Sequence, residues 1–109
     1  MLMHLRMIGW MLDVMTGNVE EAKKYAKLAH GKKFHNRAAA DWCLEMSKQH
    51  LDFNIKGYMM LEQACKELEQ MGDHADLMAA TKTMVHERRE MIMEETAEVK
   101  LMIASYDHV

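Results

Sequence analysis

The sequence predicts an all-α protein built as a helical bundle. Three observations support this fold class: the 109 residues contain no proline, they contain 14 methionines, and their apolar residues recur every three or four positions. Proline breaks helices, so its absence allows long ones, while methionine favours helices and fills irregular gaps between them. A chain of this length normally forms one domain, so we treat residues 1–109 as a single helical-bundle domain.

The first two predicted helices are short. Helix 1 covers about residues 1–15 and ends before Gly17, which suits the left-handed position that follows many helices. Asn18 is then the predicted N-cap of a helix over about residues 19–30, because its side chain can accept a hydrogen bond from an otherwise free backbone N–H. Gly31 ends this second helix.

The second half of the chain predicts a long antiparallel helical hairpin. Its helices cover about residues 37–71, after the N-cap Asn36, and about residues 74–106. Gly72 ends the first and Asp73 caps the second, and so short a connection forces the two antiparallel. The apolar arc of the first hairpin helix is wider than one neighbour covers, so we expect it to be the central helix, with part of its surface left for a second subunit.

Composition and charge exclude several classes of protein. The formal net charge of −3 gives no electrostatic signature for nucleic acid, which makes nucleic acid an unlikely partner, and no apolar run approaches the ~20 residues of a membrane span. Residues 1–15 lack the basic leader and cleavage site of a signal peptide. Cys43 and Cys65 lie about 33 Å apart along one predicted helix, too far for a disulfide. We therefore expect a cytoplasmic protein with reduced thiols.

Polar residues interrupt the apolar faces of the hairpin at matching heights. His50, Asn54 and Glu62 lie within the apolar arc of the first hairpin helix, and Arg88 and Glu95 lie within the stripe of the second. In this hairpin the numbers of two facing residues add up to about 145. His50 therefore faces Glu95, and Glu62 lies within reach of Arg88. These five residues are predicted to form a buried polar network, which is tolerated when its charges are paired and which can fix helix register.

The same network has a functional alternative, a metal site inside the bundle. Bundles place imidazole and carboxylate ligands on facing helices, and His50, Glu95 and Glu62 would suit zinc or another divalent metal ion. One chain supplies too few ligands for a complete set, which a symmetric dimer would double. The sequence leaves both interpretations open.

No catalytic constellation is present in the sequence. Ser47 and Ser105 lack the sequence context of a nucleophilic serine. Cys43 and His50 share a helix face but lie about 10 Å apart along the axis, too far for direct activation of a thiol. The protein is therefore predicted not to be an enzyme.

A few methionine and tryptophan side chains do not fit a core. Met59 and Met93 project from polar faces, and Trp42 and Met60 lie at the edge of an apolar arc. Exposed methionine and tryptophan are typical of protein-contact surfaces, so these four residues are the predicted partner surface. The sequence thus predicts a homodimer or higher homo-oligomer with an interaction or structural role.

One basic cluster offers a weaker alternative partner surface. It lies around the predicted loop at residues 31–36, where it could contact phosphates or an acidic partner, but the negative total charge favours a solvated helix face and a flexible loop as the explanation. The cluster consists of Lys23, Lys24, Lys27, Lys32, Lys33 and Arg37.

Overall fold

The computed structural model describes residues 1–72 and 74–107, and it confirms the all-α prediction. Its three helices are α1 (Leu2–Lys32), α2 (Arg37–Gln70) and α3 (Ala75–Ser105), and the described residues contain no strand. They form a rod of 59 × 19 × 15 Å. Because α2 runs antiparallel to both of its neighbours, α1 and α3 run in the same direction.

The prediction of two short N-terminal helices is wrong, because α1 is one continuous helix of 31 residues. Gly17 does not take the left-handed backbone conformation that would end a helix. The side chains beside it are also engaged elsewhere: the Thr16 hydroxyl donates to the carbonyl of Leu12 at 2.8 Å, and the Asn18 amide donates to Asn54 of α2 at 3.1 Å. Asn18 therefore makes a tertiary contact instead of capping a helix.

The long pairing of α1 with α2 forms most of the core. Buried positions recur every seven residues in both helices, which is the period of left-handed antiparallel helix packing. Small residues let the two backbones approach closely, as the 2.6 Å hydrogen bond from the Ser47 hydroxyl to the carbonyl of Ala22 shows. The seven-residue series are Ile8, Met15, Ala22 and Ala29 in α1, and Ala40, Ser47, Asn54, Leu61 and Leu68 in α2.

The third helix packs along this pair and contacts α1 more extensively than α2. The expectation that the first hairpin helix, here α2, is central is therefore wrong, and α1 is the helix that both others share. The reason is the length of α1, which extends along almost the whole of both neighbours. The seven-residue buried series of α3 is Val85, Ile92 and Val99, and Tyr106, directly after the helix, continues it.

The connections between helices agree with the predicted caps where the structure describes them. Asn36 precedes α2, and its side chain accepts a hydrogen bond from the backbone N–H of Ala39 at 3.1 Å. Gly72 follows α2 with φ of 78°, a left-handed conformation that glycine adopts without strain. The predicted cap Asp73 lies outside the described residues, and α3 begins after His74.

Replacing Gly17 by alanine tests the continuity of α1. An added Cβ at this position meets no atom within 4 Å. Because Gly17 lies inside a helix, Gly17→Ala should raise the free energy of unfolding by about 0.5–1 kcal/mol in urea titrations. A glycine in the left-handed position between two helices would give the opposite sign, so destabilisation would contradict a continuous α1.

The same substitution at Gly57 should destabilise the protein. A Cβ there would lie 2.8 Å from Cγ of Met15, so the α1–α2 contact must shift. We expect Gly57→Ala to lower the free energy of unfolding by about 1–3 kcal/mol, as overpacked cores do. Met15→Ala should cost less in the Gly57→Ala background than in the natural chain, and equal costs would show that the two side chains do not meet.

Candidate functional site

The most developed polar arrangement lies between α1 and α2. The Asn18 amide nitrogen donates to Asn54 Oδ1 at 3.1 Å, and the Asn54 amide nitrogen donates to the carbonyl of Met15 at 2.9 Å. Asn18 Oδ1 lies 3.1 Å from Nδ1 of His50. Since an amide oxygen only accepts hydrogen bonds, Nδ1 of His50 is the donor in this contact.

Aromatic side chains hold His50 from one side. The Tyr25 ring stacks on the imidazole at a centroid distance of 5.7 Å and an angle of 12°. Trp42 in turn meets Tyr25 edge to face at 5.8 Å. His50 is half-buried, and its plane and one nitrogen are fixed by two residues of α1.

The structure divides the predicted five-residue network. Asn54 is 2% exposed and belongs with His50, but both face α1 and not Glu95. Glu62 is exposed and pairs with Lys66 on its own helix at 3.4 Å, and Glu95 lies half-exposed on α3. The continuous α1 occupies the face of α2 that the prediction had assigned to α3.

Arg88 also turns towards α1. Its guanidinium donates to Asp13 at 3.1 Å and to the Thr16 hydroxyl at 3.0 Å. The hairpin register itself is close to the predicted one, because the guanidinium of Arg89 lies over the ring of Tyr58 at 5.4 Å. The prediction therefore placed the polar residues at nearly the correct heights along the two helices, but it gave the wrong direction for their side chains.

The proposed metal ligands do not meet within one chain. Among residues 1–72 and 74–107, no group of three or more histidine, cysteine, aspartate or glutamate side chains is placed to hold a metal ion. The neighbours of His50 are amides and a tyrosine, which are weak ligands for zinc. The metal site stays a prediction that no ligand cluster in the described part supports.

The four predicted partner-surface residues are all exposed, but they lie on different sides of the rod. Trp42 and Met60 flank the α1–α2 pair, Met59 lies on the outer side of α2, and Met93 lies on α3. The exposed apolar surface is larger than the sequence suggested, since Met3, Trp10, Phe53, Met91 and Leu101 are exposed as well.

A second polar cluster joins the end of α3 to the α1–α2 loop. Tyr106 is 1% exposed, and its hydroxyl donates to Asp41 at 2.9 Å. Lys33 and Arg37 lie over its ring at 4.8 and 4.9 Å, and Lys33 also donates to its backbone carbonyl. Burial, followed by the hydrogen bond to Asp41, raises the pKa of Tyr106 above 10.0. Sequence reasoning missed this cluster, although Tyr106 continues the seven-residue series of α3.

A groove of about 200 Å³ lies between α2 and α3 and contains the thiol of Cys65. Burial raises the pKa of this thiol, although Arg89 opposes the shift. The protonated form therefore dominates at neutral pH, and a protonated thiol is a poor nucleophile. The remaining lining residues are Leu61, Glu62, Lys82, Val85, His86 and Arg89.

The predicted basic cluster is partly neutralised within the chain. Lys23 pairs with Glu98 of α3 at 3.1 Å, and Arg37 pairs with Asp41 at 3.0 Å. Lys33 is buried against Tyr106. The cluster thus contributes to the packing of α3, which explains part of its charge without an external partner.

Comparisons with known proteins do not assign this chain to a family. No protein-family model, curated protein or solved structure matches the chain. Over the described residues, none of the three helices combines the length and apolar character that crossing a membrane requires. The class that the fold defines is a three-helix protein with a polar contact inside its main helix pair.

Removal of the Asn54 side chain should destabilise the protein markedly. Asn54→Ala leaves the Asn18 amide without its partner in a buried region and removes the additional hydrogen bond to the carbonyl of Met15, which typically costs about 1–3 kcal/mol. Chemical denaturation followed by circular dichroism measures the change. Gln49→Ala, at an exposed position of the same helix, is the control and should change stability by less than about 0.5 kcal/mol. Equal effects would contradict a buried network.

The tyrosine at the end of α3 predicts a loss of stability at alkaline pH. Because the folded state raises the pKa of Tyr106, its contribution is complete below the unfolded pKa near 10 and is lost as pH rises through the folded pKa. The melting temperature should therefore fall as pH rises above about 10, and less steeply in Tyr106→Phe. Equal falls in melting temperature with pH for the natural protein and Tyr106→Phe would contradict the assignment of this pH dependence to Tyr106.

Proposed function

We propose that this protein is a homo-oligomeric helical-bundle protein with an interaction or structural role. The observation that carries the proposal is the amount of large apolar surface left exposed on a small rod of helices. Soluble monomers rarely expose contiguous apolar patches above a few hundred Å², and larger patches are typical of protein contacts. Burial keeps the Cys65 thiol protonated, which makes this thiol a poor nucleophile.

The His50 arrangement fits this role. Buried polar groups that are fully hydrogen-bonded can fix which helices pair and in which register. In this account Asn18, Asn54 and His50 hold α1 against α2, and the apolar side chains around them contact a partner. We retain the cytoplasm as the proposed compartment, since Cys43 and Cys65 are both free thiols.

Light scattering coupled to gel filtration tests the proposal directly. We expect a mass of at least twice 12.7 kDa at 10–100 µM protein, falling towards the monomer mass on dilution. Urea unfolding should correspondingly show a midpoint that rises with protein concentration. A monomer at 100 µM with a concentration-independent midpoint would remove the proposal of self-association.

A further inference from the structure

Within residues 1–72 and 74–107, no helix packs on one long side of the α1–α2 pair. α3 approaches α1 at Thr16, which accepts from Arg88, and at Lys23, which pairs with Glu98. Asn18 lies on another side of α1 and reaches α2 there. The surface beyond Asn18, opposite α3, is called the open face. Its apolar residues are Met3, Met7, Trp10, Val14 and Leu28 of α1, and Trp42, Met46, Phe53 and Met60 of α2.

The spacing of these residues makes each set a continuous stripe. Met3, Met7, Trp10 and Val14 follow one another at intervals of four, three and four residues. The four residues of α2 follow at intervals of four, seven and seven. Residues at such intervals share one side of a helix. The two stripes lie next to each other because α1 and α2 are paired along their whole length.

The exposed area of the open face matches half of a stable interface. Seven of its nine residues, all except Val14 and Met46, are between 38% and 73% exposed. Taking about 150–250 Å² for a large side chain, they expose roughly 800 Å² per chain. Monomers rarely expose patches above about 600 Å², whereas each partner in a standard interface contributes about 800 Å².

We propose that a second copy of this chain covers the open face, related by a two-fold axis parallel to the long axis of the rod. In this dimer α1 of each copy packs against α2 of the other, and all four contacting helices have antiparallel neighbours, as in common four-helix bundles. The proposal rests on the self-association proposed above and specifies the surface and the symmetry.

The register of the two stripes selects this axis. Residues of α1 and α2 that lie side by side have numbers that add up to about 71, as the 3.1 Å contact between His4 and Glu67 indicates. A two-fold axis parallel to the helices leaves every residue at its own height. Trp10 is therefore level with Met60 of the other copy, and Leu28 with the other copy's Trp42, so that apolar residues of the two helices meet at these two heights.

A two-fold axis perpendicular to the helices brings neither of these pairs together. It would place α1 against α1 and α2 against α2, each reversed about one common height. The main stripe of α1 is centred near residue 8 and lies towards one end of the rod, whereas the stripe of α2 is centred near residue 51. One axis cannot pass through both centres, so the two stripes cannot both pack centrally against their own copies.

Glutamate at Phe53 tests the face. Phe53→Glu should shift the protein to the monomer mass at 10 µM, with a dissociation constant at least about 100-fold higher and unchanged helical circular dichroism, because a charge would be buried at the contact. Leu101→Glu is the matched control: this side chain is equally exposed but lies on α3, and the variant should remain a dimer. A dimeric Phe53→Glu variant would overturn the proposed face while leaving self-association intact, whereas a monomeric natural chain would remove both.

Disulfide cross-linking tests the axis. The experiment uses a Cys65→Ser background, in which the remaining Cys43 is buried, and two single variants, Trp10→Cys and Met60→Cys. Mixed and mildly oxidised, they should form a disulfide between the two variants in at least tenfold excess over either variant alone. Self-linking of Trp10→Cys, or dimers of both variants that give no mixed product, would overturn the parallel axis.

Discussion

The structure depends on the close pairing of α1 with α2. Ala22, Ser47 and Gly57 keep the two backbones near each other, and larger side chains at these positions would separate them. The pairing is possible along nearly the whole rod only because α1 continues through Gly17. α3 then packs on a surface that α1 and α2 have already formed, and Tyr106 fixes its far end to the loop between them.

The polar residues inside this pairing are better explained by structure than by chemistry. Asn18 and Asn54 satisfy each other in a position where an unpaired amide would be costly, and His50 is held by one nitrogen and by Tyr25. Such a contact is lost if either helix slips by a residue, so it specifies one register. The exposed apolar residues beside it are then held at fixed heights, which a symmetric interface requires.

The helices were predictable to the extent that local signals decide them. The structure confirms the predicted helix ends at Asn36 and Gly72. These ends were predictable because no tertiary contact competes for the two residues. The local sequence signal for a helix end at Gly17 and a new N-cap at Asn18 was equally strong. It was overridden because the Asn18 side chain gains a hydrogen-bond partner in α2. The predicted contact of His50 with Glu95 is absent from the described residues for the same reason. The direction in which His50 points depends on α1, and the predicted length of α1 was too short. A seven-residue reading of the sequence, in which Asn18 and Tyr25 share one position, would have indicated the pairing.

Amide hydrogen exchange across residues 14–22 tests the central claim most directly, because this segment is where a continuous α1 and two separate helices differ. The account predicts helical Cα chemical shifts at Gly17 and Asn18, and protection within about tenfold of the amides on either side. Rapid exchange and non-helical shifts confined to these residues would show a break in α1. Without a continuous α1, neither the register of the α1–α2 pair nor the apolar face beside it would follow.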